Sequence, residues 1–155
     1  MGGYRGPMAS PLLLCTDGSD QALAALAAGL ELLGRDHDLV LVSVMDAPDE
    51  GSLAGSGHAG PELSLEEYDE KVAQAREAAT SAIRDAQNEL GLKTAQARIL
   101  PGEPGEAICQ LAAEVSAQAI VIGSRGRGGL KRVLLGSVSD FVVRRAPCSV
   151  VVTRS

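Results

Sequence analysis

Residues 119–140 read AIVIGSRGRGGLKRVLLGSVSD. Ala119-Ile120-Val121-Ile122 is apolar without a break, the pattern of a strand buried on both faces. Gly123 ends the run. Gly126, Gly128, Gly129 and Gly136 follow before Ser137 opens a short helical pattern that reaches about Arg145. Ala146-Pro147 breaks that pattern, and Ser149-Val150-Val151-Val152 is apolar again. Strand, glycine-rich turn, helix and strand in this order predict a parallel unit of an α/β fold.

The chain also alternates between strand and helix toward the N-terminus, with no internal repeat. Leu12–Cys15 is a short apolar run stopped by Thr16-Asp17-Gly18. A helical pattern follows, with Leu23, Leu26, Ala27, Leu30 and Leu33 on one stripe, Ser19 as N-cap and Gly34 as the stop. Leu39–Val44 is a second strand, apolar at almost every position. Asp46–Pro61 is rich in Gly, Ser, Asp and Pro, and predicts a mobile loop where a lid could lie. Leu65–Leu90 predicts a long helix, with Ser64 and Glu67 as a capping box and Glu67 and Lys71 as an i,i+4 pair. Thr94–Leu100 alternates weakly, as a strand near a sheet edge does. Gly102-Glu103-Pro104-Gly105 turns the chain into a helix carrying Ile108, Leu111, Ala112 and Val115. The order β-α-β-α-β-α-β-α-β predicts right-handed crossovers and an open, five-stranded parallel sheet with helices on both faces, Rossmann-like. Residues 1–10 read as a disordered leader and residues 11–155 as one domain.

Composition narrows the function classes. Apolar residues are 45% and aromatics 2% of the 155, so the core must be aliphatic, as a buried parallel sheet allows. The formal net charge of −6 opposes general nucleic-acid binding, which rests on neutralising phosphates. Yet Arg125, Arg127, Lys131, Arg132, Arg144 and Arg145 cluster in and after the glycine-rich stretch, with Asp140 the one acid among them. Cys15, Cys109 and Cys148 form neither an even set nor a C-x-x-C, so neither a disulfide framework nor a zinc site is indicated. No apolar run approaches a membrane span and no signal core precedes the first strand, which points to a cytoplasmic protein without a membrane partner.

Five glycines between positions 123 and 136 need a cause, because glycine loses the most conformational freedom on ordering. A tight strand-to-helix turn is one cause. A phosphate site is another: backbone N–H groups approach phosphate oxygens closely only where no Cβ intervenes, and a helix N-terminus favours an anion. Ser137 and Ser139 could add hydroxyl donors, and Arg125 or Lys131 charge. The Walker pattern G-x-x-x-x-G-K-[ST] is absent, and so is G-x-G-x-x-G after the first strand.

The chain resembles a single-domain universal stress protein of the ATP-binding kind. The resemblance rests on CTDGSD at Cys15–Asp20, VSVMD at Val42–Asp46, GEPGEAI at Gly102–Ile108, and the stretch from Gly123 to Thr153 with its G-x2-G-x9-G-S spacing. It spans Leu12 to Thr153. It implies the sheet order 3-2-1-4-5, with a ligand crevice where the ends of strands one and four diverge. It further implies Asp17 and the Val44 backbone against adenine, with Thr16 and Gly123 near the ribose. Gly126, Gly136, Ser137 and Val138 would hold phosphates, and Ser124 to Gly129, including Arg125, Gly128 and Gly129, would wrap them. Cys15 stands where the family often has Pro, and its contact would be through backbone. Mg2+ would be held through the phosphates of ATP. Asp17 also suits a turn and helix cap, a role compatible with ligand contact. His37 and His58 lack partners at catalytic or metal spacing.

A phosphate cradle without a positioned base argues for a regulatory nucleotide-binding protein over an efficient enzyme. A slow ATPase or nucleotidyl transferase, and a stress or chaperone-like scaffold with structural nucleotide, are the alternatives. In the 3-2-1-4-5 order, residues 149–153 form an apolar edge that a second copy would cover, so a homodimer is expected.

Overall fold

The computed structural model describes residues 10–55, 57, 62–126 and 135–154. The expected leader lies outside the described residues except for Ser10, and so do His58, Arg127, Lys131 and Arg132. The chain alternates between strand and helix as the pattern requires: β1 (Leu12–Cys15), α1 (Asp20–Leu33), β2 (Leu39–Val44), α2 (Leu65–Glu89), β3 (Gln96–Leu100), α3 (Pro104–Glu114), β4 (Ala119–Gly123), α4 (Ser137–Arg145) and β5 (Ser149–Thr153). All pairings are parallel and the order is β3-β2-β1-β4-β5.

Alternation along the strands divides the core in two. Leu13, Val40, Val42 and Ile120 pack on one face with Ile108 and Leu111 of α3 and Val142 of α4. Their neighbours Leu14, Leu41 and Val121 pack on the other with Leu23, Leu26 and Leu30 of α1 and Ile83 and Ala86 of α2. A residue period of two thus sends successive aliphatic side chains to opposite helical layers. This explains why β1, β2 and β4 read as continuous apolar runs: both faces are covered. β3 is an edge strand with mostly exposed positions, which accounts for its weak alternation.

The helix ends follow their caps. The Ser19 hydroxyl accepts from the Ala22 N–H at 3.2 Å and starts α1, and Gly34 closes it at φ 81°. Ser64 and Glu67 form the reciprocal capping box of α2. One expected contact differs. The Glu67 carboxylate accepts the Ser64 N–H and hydroxyl, both at 2.8 Å, and these bonds hold its carboxyl below its usual range. Glu67 therefore turns back toward the helix start, and among the described residues the one salt bridge is Arg144–Asp140. Lys71 closes none. In the described part of the segment after β2, Glu50–Ser52 forms a 3-10 turn capped by Asp49, and Leu53 bridges Leu63. Among the described residues no helix is long and apolar enough to cross a membrane.

β1 leads into α1 on one face and β4 leads toward α4 on the other. Their carboxyl ends diverge there, and a crevice opens above the sheet at this switch point.

Candidate functional site

The crevice begins with the turn after β1. The Thr16 Oγ1 accepts the Gly18 N–H at 3.1 Å. The Asp17 Oδ1 accepts the Ser19 N–H at 2.9 Å and the Ser19 hydroxyl at 2.6 Å. Asp17 is therefore held in place by the same turn that caps α1, and its carboxylate needs little further ordering to meet a ligand. Gly126, from the loop after β4, lies directly against it. A Cβ at Gly126 would collide with the Asp17 carboxylate.

Ser124 ties the glycine-rich segment at its neck. Its N–H donates to the Thr153 carbonyl at 2.8 Å, and its carbonyl accepts the Gly136 N–H at 2.6 Å and the Ser139 hydroxyl at 3.0 Å. The Gly136 carbonyl then accepts the Asp140 N–H at 2.9 Å and begins α4. This assigns donors differently from the bare spacing. The Gly136 N–H and the Ser139 hydroxyl serve the neck. No side chain caps α4, and its first-turn residues Ser137, Val138 and Ser139 line the cleft, so their N–H groups are left for a ligand there. They carry the positive end of the helix dipole, which favours an anion. α4 approaches α3 closely because Gly105 has no side chain: a Cβ there would stand 2.6 Å from the Phe141 ring.

These elements enclose one cleft of about 960 Å³, of the size that takes a small-molecule ligand. Cys15, Thr16, Asp17, Val44, Gly123, Arg125, Gly126, Gly136, Ser137, Val138 and Ser139 all line it. Ser124 lies behind its wall, buried, at the neck. Gly128 and Gly129 lie outside the described residues. Cys15 is buried, and burial pushes its thiol up to about 12, so it stays protonated at neutral pH and is a poor nucleophile. Among the described residues no cluster of His, Cys, Asp and Glu could hold a metal ion by itself.

The cleft has a wall that the motifs did not reveal. Lys71, Gln74, Ala75, Ala78 and Ala79 of α2 line it, together with Asp46-Ala47-Pro48 after β2 and Pro104 and Ile108 of α3. Positions 71, 74, 75 and 78 recur at helical spacing, but that spacing marks any helix face. The sequence carries no further signal that this face meets a cleft.

The sequence model of the Universal stress protein family matches residues 8–154. A universal stress protein of Methanocaldococcus jannaschii is 29% identical over 144 residues, covering 92% of this chain and 81% of that protein. The structure of the universal stress protein UspA from Lactobacillus plantarum aligns with a TM-score of 0.69 at 25% identity, covering 96% of this chain and 100% of that one. A universal stress protein crystallised in complex with cAMP aligns with a TM-score of 0.63 at 25% identity, covering 95% and 98% of the two chains.

Proposed function

Because this chain belongs to the universal stress protein family, we propose that its cleft binds an adenine nucleotide, ATP with Mg2+ held through the phosphates, as a regulatory ligand. One observation carries the reading. The uncapped amides of α4 open into a cleft whose other end is lined by Asp17 and Val44. A phosphate chain suits the first and a base with its ribose suits the second. The relative crystallised with cAMP supports adenine as the base. Along the phosphate side the cleft offers amides, Ser137 and Arg125, which are groups that hold charge. Hydrolysis needs in addition a group that orients or deprotonates water; of the two carboxylates that line the cleft among the described residues, Asp17 is already engaged by Ser19, and Asp46 follows Val44 at the end that suits the base. Binding therefore sets a conformation or a partner rather than driving turnover. Titration of the purified protein with Mg-ATP is expected to release heat at one site per chain, and mass spectrometry of heat-released material to show an adenine nucleotide. No heat and no released nucleotide together would remove the proposal.

The reading includes a second copy of the chain. The outer edge of β5 pairs with no other strand of the sheet, and its residues 150–152 are only half-buried valines. Pairing β5 with its counterpart across a two-fold axis would cover that edge. Light scattering at micromolar concentration should give twice the chain mass. A monomer at that concentration would count against the dimer.

A further inference from the structure

The helix α2 outruns the strands it packs on. It has 25 residues, about 37 Å at about 1.5 Å per residue, against 6 residues in β2, about 20 Å. As the crossover between two parallel strands it runs antiparallel to them, so its first half stands at their carboxyl ends. Its fully buried residues, Ala79, Ala82, Ile83 and Ala86, lie in the second half, which packs on β2 and β3. The same face continues past the end of β2 at positions 78, 75, 74 and 71, and these line the cleft. Val44 and Asp46, where β2 ends, line it too. The first half of α2 therefore walls the end of the cleft that suits the base.

Lys71, Asp46 and Gln74 differ in what they can bond there. The Lys71 ammonium only donates, and its charge also acts on Glu67, which Ser64 holds. The Asp46 carboxylate only accepts. The Gln74 carboxamide does both, and among the described residues it has no hydrogen-bond partner. Ala75 and Ala78, beside it on the same face, end at a methyl group, which leaves the carboxamide as the longest neutral side chain of that wall. Adenine presents a donor and an acceptor side by side, the 6-amino group and N7. A carboxamide matches both at once, accepting from the amine through its oxygen and donating to N7 through its nitrogen. A 6-oxo purine presents two acceptors in the same place, so the carboxamide oxygen finds no donor. Resting on the adenine-nucleotide reading of this site, we infer that Gln74 is a specificity-determining residue that reads the amino edge of the base. The site on this account selects a 6-amino purine over a 6-oxo purine.

The test is calorimetric titration of the full chain, of Gln74→Ala and of Gln74→Met with ATP and ITP, each with Mg2+. The two nucleotides share ribose and triphosphate, so the α4 end contributes equally to both. They differ only in the amino or oxo group and the N1 proton that goes with it. Methionine keeps an unbranched stem of similar length and removes the amide, which separates edge reading from packing. The wild type should bind ATP about tenfold more tightly than ITP, toward the low end for a bidentate carboxamide–adenine pair. Both variants should weaken ATP about tenfold and leave ITP within about twofold, so that the two affinities converge. A wild type that binds ATP and ITP equally, an unchanged ratio in the variants, or full ATP affinity in Gln74→Met would overturn the role of Gln74 while leaving the nucleotide site in place. A wild type that binds neither nucleotide would overturn the adenine-nucleotide reading and this inference with it. Melting temperatures of the variants should match the wild type, because Gln74 is exposed and its side chain bonds nothing among the described residues, so a loss of binding cannot be a loss of fold.

Discussion

Gly136→Ala should lower Mg-ATP affinity about a hundredfold, equivalent to roughly 2.7 kcal/mol, and leave the fold intact. The two halves of this expectation have separate causes. In the chain itself a Cβ at Gly136 fits: its nearest neighbours would be the Ser124 carbonyl at 3.5 Å, the Arg125 Cα at 3.7 Å and the Ser139 hydroxyl at 3.7 Å. The backbone is at φ −69° and ψ 167°, open to any residue. The cost to stability is that of an N-cap glycine becoming alanine, about 1 kcal/mol or less. The ligand is less tolerant. Gly136 lines the cleft beside the open amides of Ser137 and Val138, and a methyl group there holds a phosphate away from donors that weaken steeply with distance and angle. Calorimetry gives the affinity and urea unfolding gives the stability. Gly126→Ala is the contrasting control. Its Cβ meets the Asp17 carboxylate, so the turn after β1 must shift, and stability and affinity should fall together. An unchanged affinity in Gly136→Ala would show that the α4 terminus is not where the phosphate lies.

Leu14→Ala is expected to destabilise the protein by about 2–5 kcal/mol, the range for a buried leucine whose cavity cannot collapse. Leu14 is 0% exposed at the middle of β1, beside Leu41 of β2 and Val121 of β4. All three pack against the same face of helices, α1 and α2. Strands on both sides and helices above leave no flexible neighbour to fill the space. Domains of this size are stable by roughly 5–15 kcal/mol, so the loss is a large share of the total. The urea midpoint should fall with the slope unchanged, since the surface exposed on unfolding is nearly the same. Leu32, 74% exposed on α1, is the control, and its alanine variant should stay within about 0.5 kcal/mol of the wild type. A loss at Leu14 no larger than that at Leu32 would contradict the two-layer core.

Much of the fold was legible because its signals are local. The Ser19, Gly34 and Ser64–Glu67 caps depend on residues a turn apart, and each falls where the sequence placed it. Continuous apolar runs distinguished the buried strands from the edge strand β3, since burial on both faces removes the need for polar alternation. The Glu67–Lys71 pair acts through charge without closing a salt bridge, for a local reason too. Two partners competed for one carboxylate, and the backbone N–H and hydroxyl of Ser64 offer fixed geometry, whereas a lysine must give up rotamer freedom to reach it.

The glycine-rich stretch by itself determined that a strand is followed by a helix. It also determined, through the order of motifs, which family the chain belongs to. Several things were decided only in three dimensions. One is that the Gly136 N–H and Ser139 hydroxyl close the neck at Ser124, which leaves the later amides of α4 to face the cleft. Another is that Gly126 rests against Asp17, 109 positions earlier in the chain. A third is that Lys71 forms part of a wall. Spacing along a sequence reports contacts within a turn or two of helix, because the chain is stiff over that distance. Which residues of β1, α2 and the loop after β4 line one cleft depends on how the strands are ordered in the sheet, and that order is set by packing of the whole core.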